Sequence, residues 1–147
     1  MSEFVATLPL PPVGVSPNAR LHWAAKHRAV RAARKCGWYW FRRFLPAGWE
    51  PKPVRLDVAY HCPVGSNGYR PRDIQNAIAA LKPMIDGMVD AGVVPDDSDQ
   101  WVRWGEVKIT RNGDGGEPGV RVTVTELTNP MRPIPDEALV GVFGGAQ

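Results

Sequence analysis

From Phe4 to Leu10 apolar and polar positions alternate weakly, with Val, Thr and Phe among them, and the run stops at Pro11-Pro12. This predicts an opening strand. Val13 to Asn18 is a Gly/Pro/Ser/Asn turn. From about Leu21 to Phe44 the chain is Ala-rich and Pro-free, with basic residues three or four apart, which predicts a helix with Trp23, Val30, Trp38 and Phe41 on its buried side. Pro46 to Pro53 is a loop. Leu56, Val58 and Tyr60 alternate with Asp57, Ala59 and His61, predicting a second strand over Arg55 to His61.

A glycine-bearing loop, Pro63 to Arg72, leads into a second helix from about Asp73 to Ala91. Ile78, Leu81, Ile85 and Met88 form its apolar stripe. Pro83 lies inside that stripe and is expected to kink or split the helix. Gly92 ends it. Pro95 to Asp99 is an acidic turn. Trp101 to Arg111 and Gly119 to Leu127 read as a hairpin joined by the loop from Asn112 to Pro118. The elements predict a single compact α+β domain over residues 1–127, a small sheet with two main helices. Residues 128–147, with three prolines and three glycines, are expected to form a loosely packed tail.

The 147 residues suit one domain, and 44% apolar and 22% charged residues are ordinary globular values. No apolar run approaches the roughly 18 residues of a membrane span. The opening segment does not read as a secretory signal. Cys36 and Cys62 are too few for a disulfide scaffold and are expected to be small buried residues. A reducing cytoplasm is expected, without membrane association. Collagen, a transmembrane protein, a zinc ribbon and a secreted toxin are excluded.

Charge changes the picture once it is followed along the chain. Residues 1–60 hold ten Lys/Arg and three Asp/Glu, whereas residues 61–100 hold three and six. Between Val15 and Leu45 lie eight basic residues and no acidic one. A basic face beside an acidic cluster suits a metal-dependent enzyme acting on a polyanion. Arg20, Lys26, Arg28, Arg31, Arg34 and Lys35 are candidate phosphate contacts, alongside Arg42 and Arg43, and Arg70 and Arg72 flank the acidic segment. A solvated helix face is the plain alternative. Trp38, Trp40, Trp101 and Trp104 suit either a core or interface or stacking on unpaired bases.

Two segments carry candidate chemistry: Arg70-Pro71-Arg72-Asp73-Ile74-Gln75-Asn76 at the start of the second helix, and Val94-Pro95-Asp96-Asp97-Ser98-Asp99 beyond its end. If the chain folds back, Asp73 and Asp97, with Asp96, offer carboxylates of the kind that hold Mg²⁺ with water and phosphate oxygens. Lys82 offers a positive charge to the scissile phosphate or leaving group. Taken singly, Asp73 also reads as an N-cap, the acidic turn as solvated, and Lys82 with Asp86 as a surface ion pair.

The run RPRDIQNAIAALKPMIDGMVDAGVVPDDS, residues 70–98, resembles the core motif of the RusA family of Holliday junction resolvases, with weaker likeness over residues 4–127, including LPLPP and Asn18. The resemblance implies a small homodimer, a mixed sheet with helices, and Mg²⁺-dependent nicking of branched DNA, Mn²⁺ being a possible substitute. By position, Asp73 matches the first Asp of the motif, Asn76 its Asn, Lys82 the helix lysine, and Asp97 the metal-ligating second residue of the Asp-Asp pair. The spacing from Asn76 to Lys82 is longer than in the shortest family members. Gln75 stands where the family has its second Asp; its carbonyl can coordinate a cation but brings no charge. Asp86, Asp96 or Asp99 are the candidates to compensate. The expected function is resolution of four-way junctions, with Asp73, Lys82 and Asp97 catalytic and Asp73, Gln75, Asp96 and Asp97 at the metal. A branched-DNA binder weakened by Gln75 is the alternative, and an RNA-directed nuclease a third.

Overall fold

The structure is a computed structural model, and it describes residues 2–17, 19–63, 65–111 and 117–127. Asn18, most of the loop before the last strand and the tail at 128–147 lie outside the described residues. The chain runs β1 (Glu3–Leu8), a 3₁₀ turn (Val13–Val15), α1 (Trp23–Phe44), β2 (Val54–Cys62), α2 (Ile74–Asp90), β3 (Val102–Arg111) and β4 (Gly119–Glu126). The four strands form one mixed sheet in the order β1-β4-β2-β3. The expected α+β architecture, a small mixed sheet with two main helices, is therefore present.

Register builds the core. Phe4, Val124 and Leu56 lie in one row across β1, β4 and β2; Ala6, Val122 and Val58 in the next; Leu8, Val120 and Tyr60 in a third. All nine are buried. A period of two puts them on one face of the sheet, while Glu3, Thr7 and Arg121 point to the other. Phe41 of α1 and Leu81, Met84, Ile85 and Met88 of α2 complete the core.

The expected hairpin is not formed. β3 pairs parallel with β2, and β4 inserts between β1 and β2, antiparallel to both. β4 carries Val120, Val122 and Val124, all fully buried, and so suits an interior strand. β3 alternates exposed and half-buried positions after Val102 and suits an edge. The α2 crossover returns β3 parallel to β2, the usual solution for strands joined by a helix. Where β2 and β3 slip register between Leu56 and Val58, Asp57 Oδ1 accepts the Glu106 backbone N–H at 2.8 Å.

One further expectation is narrowed and another corrected. Of a kink or a split at Pro83, the split is absent, since α2 runs unbroken from Ile74 to Asp90. The proline is buried in the apolar face, and Ala79, whose carbonyl loses its helical donor there, is exposed and within reach of water. On α1 the buried side is Ala33, Gly37 and Phe41 rather than the tryptophans. Trp23 is 75% and Trp38 43% exposed. The small residues face inward because α1 lies directly against α2, leaving no room there for indoles.

Candidate nucleic-acid interface and acidic site

The loop before α2 is tacked down from two sides. The Tyr69 N–H donates to the Pro11 carbonyl at 2.7 Å, and Arg111 Nη2 donates to the Pro71 carbonyl at 2.8 Å and to the Arg72 carbonyl. Gly68 has φ +102° and lies against Leu10, so the loop crosses the exit of β1 through a conformation that favours glycine. Arg70 and Arg72 are thereby exposed at the end of β3. Arg70, Pro71, Arg72 and Arg111 line one concavity. Arg72, Asp73, Ile74, Gln75, Val107, Ile109 and Arg111 line a second, of about 620 Å³. Burial pushes the Cys62 thiol up, and the nearby Arg70 and Arg111 guanidiniums oppose that shift.

Asp73 is the N-cap of α2. Its Oδ1 accepts the Asn76 backbone N–H at 2.8 Å, and its Oδ2 accepts from Asn76 Nδ2 at 3.3 Å. The cap satisfies an otherwise unpaired helix N–H and sets a negative charge at the positive end of the helix dipole. The carboxylate is exposed and opens into the groove beside Gln75.

The acidic turn does fold back, onto the middle of α2. Gly92, at φ +90°, closes the helix: its N–H donates to the Val89 carbonyl and that of Val93 to the Met88 carbonyl, the paired bonds of a Schellman cap. Val93 and Val94 are buried, and Trp49 Nε1 donates to the Val93 carbonyl at 3.0 Å. Both the Trp101 and Val102 N–H groups donate to the Ser98 carbonyl at 2.9 Å. The turn is thus held between α2 and β3. Lys82 Nζ forms ion pairs with Asp97 and, at 3.4 Å, with Asp86. Asp96 accepts the Ser98 N–H at 2.8 Å; hydrogen bonds from the Ser98 side chain and backbone hold its carboxyl below the usual carboxylate range.

Lys82, Asp86 and Asp97 therefore come together, whereas Asp73 lies nine residues earlier, roughly 13 Å along the helix axis from Lys82. Among the described residues, no three His, Cys, Asp or Glu side chains are gathered as metal ligands. The donors are nonetheless of the oxygen type that Mg²⁺ takes, and one carboxylate with a carbonyl suffices where waters and a substrate phosphate complete the shell. Asp73 and Gln75 share such a groove. Asp97 does not line that groove and is paired with Lys82 instead.

The basic residues of the N-terminal half separate into three kinds. Arg28, Arg31 and Lys35 are exposed on α1, and among the described residues no hydrogen bond or ion pair engages them. Arg34 is held by Asp90 in a two-point pair at 2.6 and 2.9 Å, which keeps the Asp90 carboxyl below its ordinary range. Lys26 donates to the Ser16 carbonyl at 2.6 Å and so supports the preceding turn. Arg20 is exposed before α1. Arg111 had no signal in the sequence beyond its place at a strand end; only the parallel β2–β3 register brings it to the Arg70–Arg72 loop. Cys62 is buried and Cys36 half-buried.

No family model matches the chain. It is similar to an uncharacterized protein of Xylella fastidiosa (strain Temecula1), 38% identical over 91 residues, which cover 58% of this chain and 55% of that one. The chain thus spans about half the length of the relative it matches. Among the described residues, no helix is long and apolar enough to cross a membrane.

Proposed function

We propose that the chain is a structure-selective DNA endonuclease of the RusA type, a homodimer that resolves four-way junctions by Mg²⁺-dependent phosphodiester hydrolysis. The observation that supports this best is the arrangement around α2. Its N-terminus carries Asp73 and Gln75 in a groove walled by Arg72 and Arg111, and its middle carries Lys82 against Asp97 from a turn fifteen residues on. A cation held by Asp73 and Gln75 at the groove, its shell completed by waters and a substrate phosphate, would supply an activated water and neutralise charge on the phosphate; Asp97 and Asp96 would serve it only after the acidic turn moved toward the helix start. Arg70, Arg72 and Arg111 hold the DNA backbone at the groove. Lys82 is already turned toward the acidic turn, and its ammonium stabilises the charge that develops on the leaving side. A two-fold dimer matches a two-fold junction and sets one site on each of two strands.

A second reading has its own support. Asp73 is engaged as a cap, Asp97 is paired with Lys82, and the position between Asp73 and Asn76 is held by uncharged Gln75. Such a chain binds branched DNA without cutting it. The deciding experiment is cleavage of a labelled synthetic four-way junction with Mg²⁺ or Mn²⁺ against EDTA, comparing the parent with Gln75→Asp. Paired symmetric nicks from the parent support the resolvase. Binding without nicks, with cutting gained in Gln75→Asp, supports the binder. Neither binding nor cutting by both proteins sinks both readings.

A further inference from the structure

α1 presents a continuous outward stripe that the acidic site does not use. Arg31, Lys35 and Trp38 stand at i, i+4 and i+7, so they lie one above another on one helix face, with Arg28 alongside. All four are exposed and, with Ala32, Arg34 and Asp90, line an open concavity of about 500 Å³. Trp38 differs from the other tryptophans named as stacking candidates. Trp40 is half-buried, packed against Tyr39 and Phe44 with Arg43 over its ring at 5.9 Å. Trp101 and Trp104 are half-buried against the core. Asp90 is the carboxylate in the concavity, and the Arg34 guanidinium pairs with it on both oxygens, so it offers little repulsion to an anion.

We propose that this face of α1 is a stacking site for an unpaired DNA base, with the Trp38 ring as platform and Arg31 and Lys35 holding the flanking phosphates. The inference rests on the DNA-directed reading above and names the part of a branched substrate that this face grips. An indole half in solvent and ringed by unengaged cations is complementary to a base with its phosphates. The absence of any acidic residue between Val15 and Leu45 makes the same surface unfavourable for a cationic partner.

The test uses fluorescence anisotropy of the full chain with a labelled oligothymidine and with a blunt duplex of equal length. Trp38→Ala is expected to weaken oligothymidine binding about tenfold or more, leave the duplex within about twofold, and leave the salt slope unchanged. Trp38→Phe, which keeps a ring, should stay within about threefold of the parent. Arg31→Ala should weaken both ligands and lower the single-strand salt slope by about 0.7. Oligothymidine binding unchanged in Trp38→Ala overturns the proposal, as does an equal loss on both DNAs. Oligouridine bound tenfold tighter than oligothymidine overturns DNA as the occupant. If the Trp38 dependence holds while the parent never nicks a junction, the platform stands and the nuclease reading falls; nicking that ignores Trp38 gives the converse.

Discussion

Gly37 of α1 and Gly87 of α2 meet where the two helices cross. A Cβ on Gly87 would lie 2.9 Å from the Gly37 carbonyl carbon and would overlap the Arg34 carbonyl oxygen, and one on Gly37 would overlap the Met84 carbonyl oxygen. Each obstacle is backbone, which cannot swing aside. Gly87→Ala should therefore destabilise the protein by about 2 kcal/mol or more, although a helical Gly→Ala change on its own favours the helix by about 1 kcal/mol. Urea denaturation checks this. A midpoint raised by the substitution would show that the helices part easily.

Asp73 has two roles that substitution can separate. Asp73→Ser keeps a side-chain oxygen for the Asn76 N–H and should leave stability within about 0.5 kcal/mol, whereas Asp73→Ala should cost about 1 kcal/mol. Both lack the carboxylate and should lose junction cleavage while still binding the junction. Nicking by Asp73→Ser at the parental rate would remove Asp73 from the proposed chemistry.

Lys82 is held by Asp86 and Asp97, so Lys82→Met removes the cation and leaves two carboxylates facing one another. Junction cleavage is expected to fall about 100-fold, on the scale of a lost electrostatic stabiliser, with binding little changed. Single-turnover kinetics separates the two. A loss confined to affinity would make Lys82 a phosphate anchor instead.

The buried tyrosines should respond in opposite directions. The Tyr60 hydroxyl is buried and donates to the Ala77 carbonyl at 2.7 Å, tying β2 to the first turn of α2. Tyr60→Phe should cost about 1 kcal/mol. The Tyr69 hydroxyl is buried and has no hydrogen-bond partner among the described residues, so Tyr69→Phe should be neutral or stabilising. Thermal melts of the two variants give the comparison, and a clear loss in Tyr69→Phe would point to an ordered water on that hydroxyl.

The Arg34–Asp90 pair sets a pH dependence. Asp90 titrates below its ordinary value of 3.8 because Arg34 hydrogen-bonds and attracts its charged form, with partial burial opposing. A carboxyl whose folded pKa is depressed adds stability that is fully present above the unfolded value and is lost as pH falls through the folded one. The pair's contribution should fade below about pH 4. Asp90→Asn should flatten the stability profile in that window only. An unchanged profile would mean that the pair adds nothing in solution, as exposed pairs often do.

Much of this molecule is legible in the sequence because the signals are short-range. The 3.6-residue stripe placed α2 at 73–91, and the structure has it at Ile74–Asp90 with Asp73 as N-cap and Gly92 as the positive-φ stop. The alternation at Leu56, Val58 and Tyr60 placed β2, and the two segments bearing Asp73 and Asp97 stood out by residue type, whereas Gln75 was singled out only by the family resemblance. Caps, turns and amphipathic faces depend on residues within about four positions of each other, so periodicity records them.

What only the tertiary structure decided depends on which distant surfaces meet. Trp101–Arg111 and Gly119–Leu127 look like a hairpin because they are neighbours in sequence. Pairing followed burial instead, so the fully apolar row of β4 took the interior between β1 and β2 and left β3 at the edge. The same packing turned Gly37 of α1 inward and Trp38 outward, carried Arg111 to the Arg70–Arg72 loop, and set Asp97 against Lys82 rather than beside Asp73. Residue types define what each position can do chemically. Which of them act together is decided by long-range packing, through the apolar area each alternative pairing would bury or expose.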